Sequence, residues 1–324
     1  MDVTLLGPGA VGTLLGGLLR LAGHNVTLVA RRAAALPDRP VRIIHPSQWL
    51  LAEGLRHASI TAQSARGADA WIVTLGRHHL RSLRRPDFSG LIGRSEGPVF
   101  FFNSDAAEPE RLAVPPQRRR FGVTLTSAVR LQEGDVELAA AKSALVVERH
   151  PEGRKLFGGL SGYGFQILEV DDAMPFMRSF FLYQLLFLPV ALCNLTLDAF
   201  LAAPQGRELA RNILEEGFLT LDKAGQTLAS LPVMDPRELL TRLQRKPASF
   251  AAGGEKPGRA YNSVLQAYLC SRQVESAHLN RRLVEIASSV GVHLVWNWRV
   301  LQKAGRVAGV GFYRDPGQLL QSLE

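Results

Sequence analysis

The strongest constraint on this chain lies in its opening residues, Met1 to Gly12, which read MDVTLLGPGAVG. Gly7, Gly9 and Gly12 form a G-x-G-x-x-G turn directly after a short apolar run, Val3 to Leu6. A helix-like run, Thr13 to Leu21, follows at once. Strand, glycine turn and helix in that order separate a dinucleotide fingerprint from a chance glycine triplet. The first glycine permits the tight turn, the second lets backbone approach a pyrophosphate, and the third lets helix pack closely on strand. The helix start then offers N–H donors and a positive dipole end to an anion. The spacing therefore predicts a cofactor loop built from Gly7, Pro8, Gly9, Ala10, Val11 and Gly12.

Strand and helix signals alternate through the first half, as in a parallel sheet wrapped by helices. Val3–Leu6 is strand one and Val11–Ala22 its helix, with Asn25–Ala30 as strand two after Gly23-His24. Val41–Ile44 and Ser59–Thr61 are short strand candidates. Ala70–Leu75, Pro98–Phe102, Gly122–Thr126, Ser143–Glu148 and Phe165–Val170 complete the set, with a helix over Glu152–Gly162. Such short apolar strands with little alternation suit a sheet covered on both faces. After Asp171-Asp172 long apolar-periodic segments take over, at 173–201, 206–228, 235–245, 260–272 and 275–291. Residues 246–257 are Gly-rich and irregular, and 306–324 carry no strong pattern. At 324 residues two domains are expected. The expected fold is α/β: a doubly wound, Rossmann-type parallel sheet over 1–171, then an all-helical domain over 172–324. In such proteins substrate binds in the interdomain cleft, beyond the carboxyl ends of the strands.

A net charge of +9 raises nucleic acid as a partner. The arginines are scattered, however, and the short run Arg118-Arg119-Arg120 lacks aromatic interleaving, so surface charge that attracts phosphorylated ligands is the reading adopted. The two cysteines, Cys193 and Cys270, form no C-x-x-C pair and no metal-ligand spacing, and buried free thiols in a reducing cytoplasm are expected. No signal peptide is read, since the fold begins at Asp2. Phe180 to Leu197 approaches the length of a membrane span, yet Gln184, Pro189 and Asn194 interrupt it. A buried core or dimer-interface helix is expected there instead of a membrane anchor.

Strand two ends Val29-Ala30-Arg31-Arg32. An NAD site usually carries Asp or Glu near this point for the ribose 2′-hydroxyl. Here two guanidiniums stand instead, and their planar donor forks suit a 2′-phosphate, which favours NADP(H).

Beyond these motifs the whole chain resembles the ketopantoate reductase (2-dehydropantoate 2-reductase) family. The matching stretches are Gly7–Gly12, Gly23-His24, Arg31 and Ala68–Leu75. Asn103 after Phe100–Phe102, Gly122–Ala128, Gly134–Val136, Gly164-Phe165 and Val170–Asp172 continue the match in the same order. The resemblance implies a Rossmann domain and a helical domain like the C-terminal domain of 6-phosphogluconate dehydrogenase, with NADPH reducing the ketone of ketopantoate. It adds Thr74, Leu75, Asn103 and Ala128 to the cofactor-binding set beside Arg31 and Arg32.

The same resemblance shows two departures. The family places a lysine on the first C-terminal helix, with Asn four residues on and Asn-Pro at eight and nine. In the register set by Asp171-Asp172 and supported by Pro189, that lysine position holds Phe180, and Gln184 and Leu188 replace the asparagines. Ser249 matches the family's mid-loop serine, but its glutamate position, in a Thr-Glu-Ile-Asp run, falls in Ala260-Tyr261-Asn262-Ser263. Phenylalanine cannot act as a general acid. Tyr261, Asn103 and Ser249 become the catalytic candidates. Tyr183, Gln184, His278 and Asn280 are further polar positions, for which core, interface or surface roles compete.

Three functions follow. One is an NADPH-dependent reductase of a carbonyl or imine with apolar or aromatic parts. Another is a non-catalytic NADPH-binding sensor or scaffold. The third is a true ketopantoate reductase whose lysine comes from Lys246 or Lys256. A small-molecule substrate, a homodimer, no metal, no nucleic acid and no membrane are expected.

Overall fold

The computed structural model describes residues 1–30, 40–45, 48–59, 67–75, 92, 95–102, 114–131, 135–138, 142–245, 277–307, 313 and 315–323. These divide into two compact units, Met1–Met177 and Arg178–Glu324.

In the first unit β1 (Asp2–Leu6) runs through the glycine turn into α1 (Ala10–Leu21). There follow β2 (Asn25–Ala30), β3 (Val41–His45), β4 (Gln48–Ala52), β5 (Arg56–Ser59), β6 (Ala70–Val73) and β7 (Val99–Phe102). Then come β8 (Arg119–Leu125), β9 (Ala128–Arg130), β10 (Val136–Leu138), β11 (Ser143–Glu148), α2 (Pro151–Phe157) and β12 (Phe165–Val170). Eight strands form one sheet in the order β12-β11-β8-β7-β6-β1-β2-β5. From β1 the chain continues to β2 on one side and later to β6 on the other, so the carboxyl end of β1 is the switch point of the sheet.

The sheet is buried on both faces, and its side chains alternate between two cores. Val3, Leu5, Ile72, Phe100 and Phe102 point to the face packed with Leu14, Leu15 and Leu18 of α1 and with Phe157. Leu6, Trp71, Val73, Val99 and Phe101 line the opposite core. Each such ring or branched chain removed from water contributes about 1.5–3 kcal/mol, which is why runs such as VFFF hold the centre of the sheet.

Four differences from expectation appear in this unit. The sheet is not wholly parallel, because β8 and β11 pair antiparallel. An antiparallel pair needs no crossover, whereas β11 and β12 are joined through α2 and pair in parallel. The strand expected at Gly122–Thr126 starts at Arg119, and the helix expected over 152–162 ends at Phe157. A 3-10 turn, Gly158–Tyr163, replaces its second half, since glycines at 158, 159 and 162 weaken an α-helix. Finally, β3, β4, β9 and β10 form a second sheet, ordered β4-β3-β10-β9.

Among the described residues the second unit is helical. It comprises α3 (Met174–Gln184, which begins in the first unit), α4 (Phe187–Leu192), α5 (Leu197–Ala202) and α6 (Pro204–Lys223). Then come α7 (Pro236–Gln244), α8 (Ala277–Ser289), α9 (Trp296–Val307) and α10 (Pro316–Leu323). The periodic stretch 173–201 is three helices, not one. Pro189 cannot donate to the carbonyl of Leu185 and its ring crowds that turn, which breaks the helix between Gln184 and Phe187. Asn194, at φ 53°, then ends α4 in the left-handed conformation that asparagine tolerates. The tail expected to lack a pattern carries α10, whose Leu319, Leu320 and Leu323 are buried. Periodicity expected at 260–272 lies outside the described residues.

Glu216 of α6 organises one end of this unit. Its carboxylate accepts from the N–H groups of Val295, Trp296 and Asn297 at 2.6, 2.8 and 2.9 Å, and from Asn297 Nδ2 at 2.9 Å. An acidic group at this place satisfies donors that the first turn of α9 leaves open. Met174–Leu192 is long and apolar enough to cross a membrane, but 61% of its apolar window is buried inside the structure and the break between Gln184 and Phe187 divides it. Cys193 is a buried free thiol pushed up to about 12 by desolvation, with the Asp315 carboxylate adding to the effect.

Candidate functional site

The glycine turn stands at the carboxyl end of β1, beside the ends of β2 and β6. Its three glycines answer to different demands. Gly7 has φ +94°, a left-handed conformation that glycine adopts freely, and a Cβ there would lie 2.6 Å from Leu75 Cδ2. At Gly12 a Cβ would lie 2.2 Å from the Gly7 carbonyl oxygen and 2.6 Å from Thr74 Oγ1. Both positions are closed by the protein's own atoms. Gly9 is the opposite case: it is exposed, its φ of −72° and ψ of −167° suit any residue, and nothing lies within 4 Å of where a Cβ would stand. The fold does not require glycine at position 9, and the missing side chain leaves this stretch of backbone open to a group approaching from outside.

What faces that opening is an uncapped helix end. Gly9 is the N-cap of α1 and no side chain caps it. The first hydrogen bond of the helix runs from Thr13 N–H to the Gly9 carbonyl at 2.8 Å. The N–H groups of Ala10, Val11 and Gly12 precede it, and a helix leaves such donors without intrahelical partners. Together with the dipole they attract an anion. The first turn also carries no acidic residue to repel one. These features fit the pyrophosphate of a dinucleotide.

Thr74 and Leu75 lie where the sequence put them, against the turn. The Thr74 hydroxyl donates to the Gly7 carbonyl at 2.7 Å, and Leu75 packs on Gly7. Thr74 N–H also bonds to the Leu6 carbonyl at 3.0 Å, which continues the β1–β6 ladder up to the turn. Ala128, at 4% exposure, is buried in the core beneath α1. Two residues along the same strand is a group that sequence reasoning missed. Arg130 Nη1 donates to the Pro8 carbonyl at 2.8 Å, and burial lowers its pKa. Arg31, Arg32, Asn103, Ser249 and Tyr261, with Lys246 and Lys256, lie outside the described residues.

In the second unit α3 contains Arg178 as its single cation and no lysine. Phe180 is 5% exposed, and its ring stacks on Tyr183 at 6.5 Å between centroids. Tyr183 meets Phe187 edge-on at 5.9 Å. Burial pushes the Tyr183 phenol up to about 12, and the Asp198 carboxylate adds to the rise, so it stays protonated at neutral pH. Leu188 is fully buried in the helical core. Asn280 is also fully buried, donating to Asn297 Oδ1 at 3.0 Å; it belongs to the Glu216 network. Gln184 and His278 are partly buried on α3 and α8.

Comparison with known proteins bears directly on this loop. Residues 3–152 match the family model of ketopantoate reductase PanE/ApbA. The match spans most of the first unit and a little under half of the whole chain. Comparison with curated proteins finds no match. Among solved structures, a PanE/ApbA family ketopantoate reductase from Ralstonia eutropha JMP134 shares 18% identity and a TM-score of 0.74. The alignment covers 95% of this chain and 98% of that one. D-mandelate dehydrogenase in a ternary structure with NADH and anilino(oxo)acetate gives 15% identity, a TM-score of 0.76, and coverage of 95% and 98%. A probable 2-dehydropantoate 2-reductase from Bacillus subtilis gives 19%, 0.67, and coverage of 95% and 100%. The chain thus has the fold of these reductases and of D-mandelate dehydrogenase, the last of which is described with NADH.

Proposed function

We propose that this chain is an NADP(H)-dependent oxidoreductase that reduces a C=O or C=N group on a substrate with an aromatic or apolar part, not ordinary ketopantoate. The observation that carries the cofactor reading is the open face of Gly9 beside the uncapped start of α1. Preference for the 2′-phosphate is supported by Arg31 and Arg32, which follow the last residue of β2, and by the lack of any carboxylate in that strand. The first unit serves as the cofactor domain and the second as the substrate and dimerisation domain of a cytoplasmic homodimer.

When bound, NADPH supplies a hydride to the carbonyl or imine carbon, and the heteroatom takes a proton. Backbone N–H groups of Ala10, Val11 and Gly12 hold the pyrophosphate. Arg31 and Arg32 hold the 2′-phosphate. With Phe180 and Tyr261 at the positions of the family's lysine and glutamate, the proton comes from the Tyr261 hydroxyl, while Asn103 and Ser249 orient the reacting group. The substrate class is supported by the exchange of charged for aromatic residues at those two positions. It is also consistent with the neighbour whose name and bound ligand, D-mandelate dehydrogenase and anilino(oxo)acetate, both carry a phenyl ring.

The test is NADPH oxidation over a panel of 2-oxo acids, aryl ketones, aldehydes and cyclic imines that includes ketopantoate. Turnover concentrated on aromatic substrates and lost in Tyr261→Phe is expected. Efficient turnover of ketopantoate would sink the substrate assignment. NADPH binding without turnover of any substrate would favour the sensor or scaffold reading.

A further inference from the structure

Both ends of the Pro8–Gly9 peptide are tied down. Its carbonyl accepts from Arg130 Nη1 at 2.8 Å and from the Thr13 hydroxyl at 3.2 Å, and its N–H donates to the Gly7 carbonyl at 2.8 Å. Arg130 comes from outside the glycine motif altogether, 122 residues along the chain on β9. That strand belongs to the four-stranded sheet, not to the sheet that carries the turn. Antiparallel pairing of β9 with β10 sets Arg130 opposite Val136, while β9 also packs on α1.

We propose that Arg130 is a positioning residue for the cofactor's pyrophosphate, acting through the Pro8 carbonyl; this rests on the dinucleotide reading above. An untethered carbonyl beside Gly9 can turn its negative end toward the incoming phosphates. The guanidinium holds that oxygen in one direction and offsets its partial charge. It stays protonated despite its burial, because an arginine side chain does not titrate in the working range. The loop is thereby ordered before ligand arrives, so its ordering entropy is not lost at the binding step. A charge-assisted hydrogen bond to a fixed carbonyl is worth more than a neutral one.

The experiment compares wild type, Arg130→Met and Arg130→Lys in titrations with two cofactor fragments. One is 2′-phospho-ADP-ribose, which carries the pyrophosphate; the other is adenosine 2′-monophosphate, which does not. Loss of one such bond should weaken the first fragment roughly 10- to 100-fold in Arg130→Met, with the second unchanged and with lysine recovering part of the loss. Thermal unfolding checks that each variant is folded. If Arg130→Met does not fold, Arg130→Lys carries the test, with a smaller loss confined to the pyrophosphate fragment. Equal weakening of both fragments, or of neither, overturns the proposal. If wild type binds neither the dinucleotide nor its fragments, the cofactor reading falls and this inference with it.

Discussion

Replacing Gly9 by serine should leave the fold intact, or slightly firmer, while removing cofactor affinity. At position 9 the backbone already has an extended N-cap conformation, and the space around a new Cβ is empty to 4 Å. Serine is a better N-cap than glycine by a few tenths of a kcal/mol, because its hydroxyl accepts from an open N–H of the first turn. For a unit of this size that corresponds to a rise of about 1 °C in the thermal midpoint. The same hydroxyl occupies the anion's place and uses a donor that the anion needs. Each charge-assisted bond lost costs about 1.5–3 kcal/mol, so NADPH affinity should fall at least about tenfold. Gly12→Ala is the contrasting case. Its Cβ would meet the Gly7 carbonyl at 2.2 Å, held there by Thr74. Overpacking of this kind costs about 1–3 kcal/mol and outweighs the roughly 1 kcal/mol that alanine gains over glycine in a helix. Differential scanning calorimetry and isothermal titration on the two variants separate the effects. A Gly9→Ser protein that unfolds several degrees early, or that binds NADPH like wild type, would refute the reasoning.

Three further outcomes follow from the same geometry. Thr74→Val removes the hydroxyl bonded to Gly7 and should lower stability by about 1 kcal/mol in urea unfolding; an unchanged midpoint would deny Thr74 its bracing role. Glu216→Ala strips an acceptor from four donors at the start of α9 and should cost about 3 kcal/mol or more, with Asn280→Ala less than additive to it because both act through Asn297. The folded-state pKa of Tyr183 is raised from 10 to about 12, so its contribution to stability is complete below pH 10 and declines as pH rises from 10 toward 12. Tyr183→Phe should flatten that decline in alkaline unfolding titrations; identical slopes would contradict the burial argument.

The glycine turn was legible because its requirements are local: a tight turn, a close approach and a helix start fall within six consecutive residues. Strands such as Asn25–Ala30 and Phe165–Val170 were legible because β-branched and apolar residues bounded by glycine signal parallel strands, even where, as in the edge strand Phe165–Val170, only Phe165 is fully buried. The second sheet was not, since β9 and β10 are three residues each and β10 pairs with β3 from far along the chain. Arg130 escaped notice for a related reason. Its partner is a backbone carbonyl, which leaves no mark in residue type. The break in α3–α4 was signalled by Gln184 and Pro189, which interrupt the apolar run, but the apolar periodicity on either side joined the helices into one stretch. Asn280 stood out as lying where the resembled family often has an asparagine, but only packing reveals that its partner is Asn297.

The most direct test of the whole account is a fluorescence titration of the protein with NADPH and with NADH under identical salt conditions. Saturable binding of NADPH, with NADH weaker by at least about tenfold as expected for a 2′-phosphate held by arginine, is the predicted result. Binding of neither dinucleotide would contradict the central claim, and equal binding of both would remove Arg31 and Arg32 from the site.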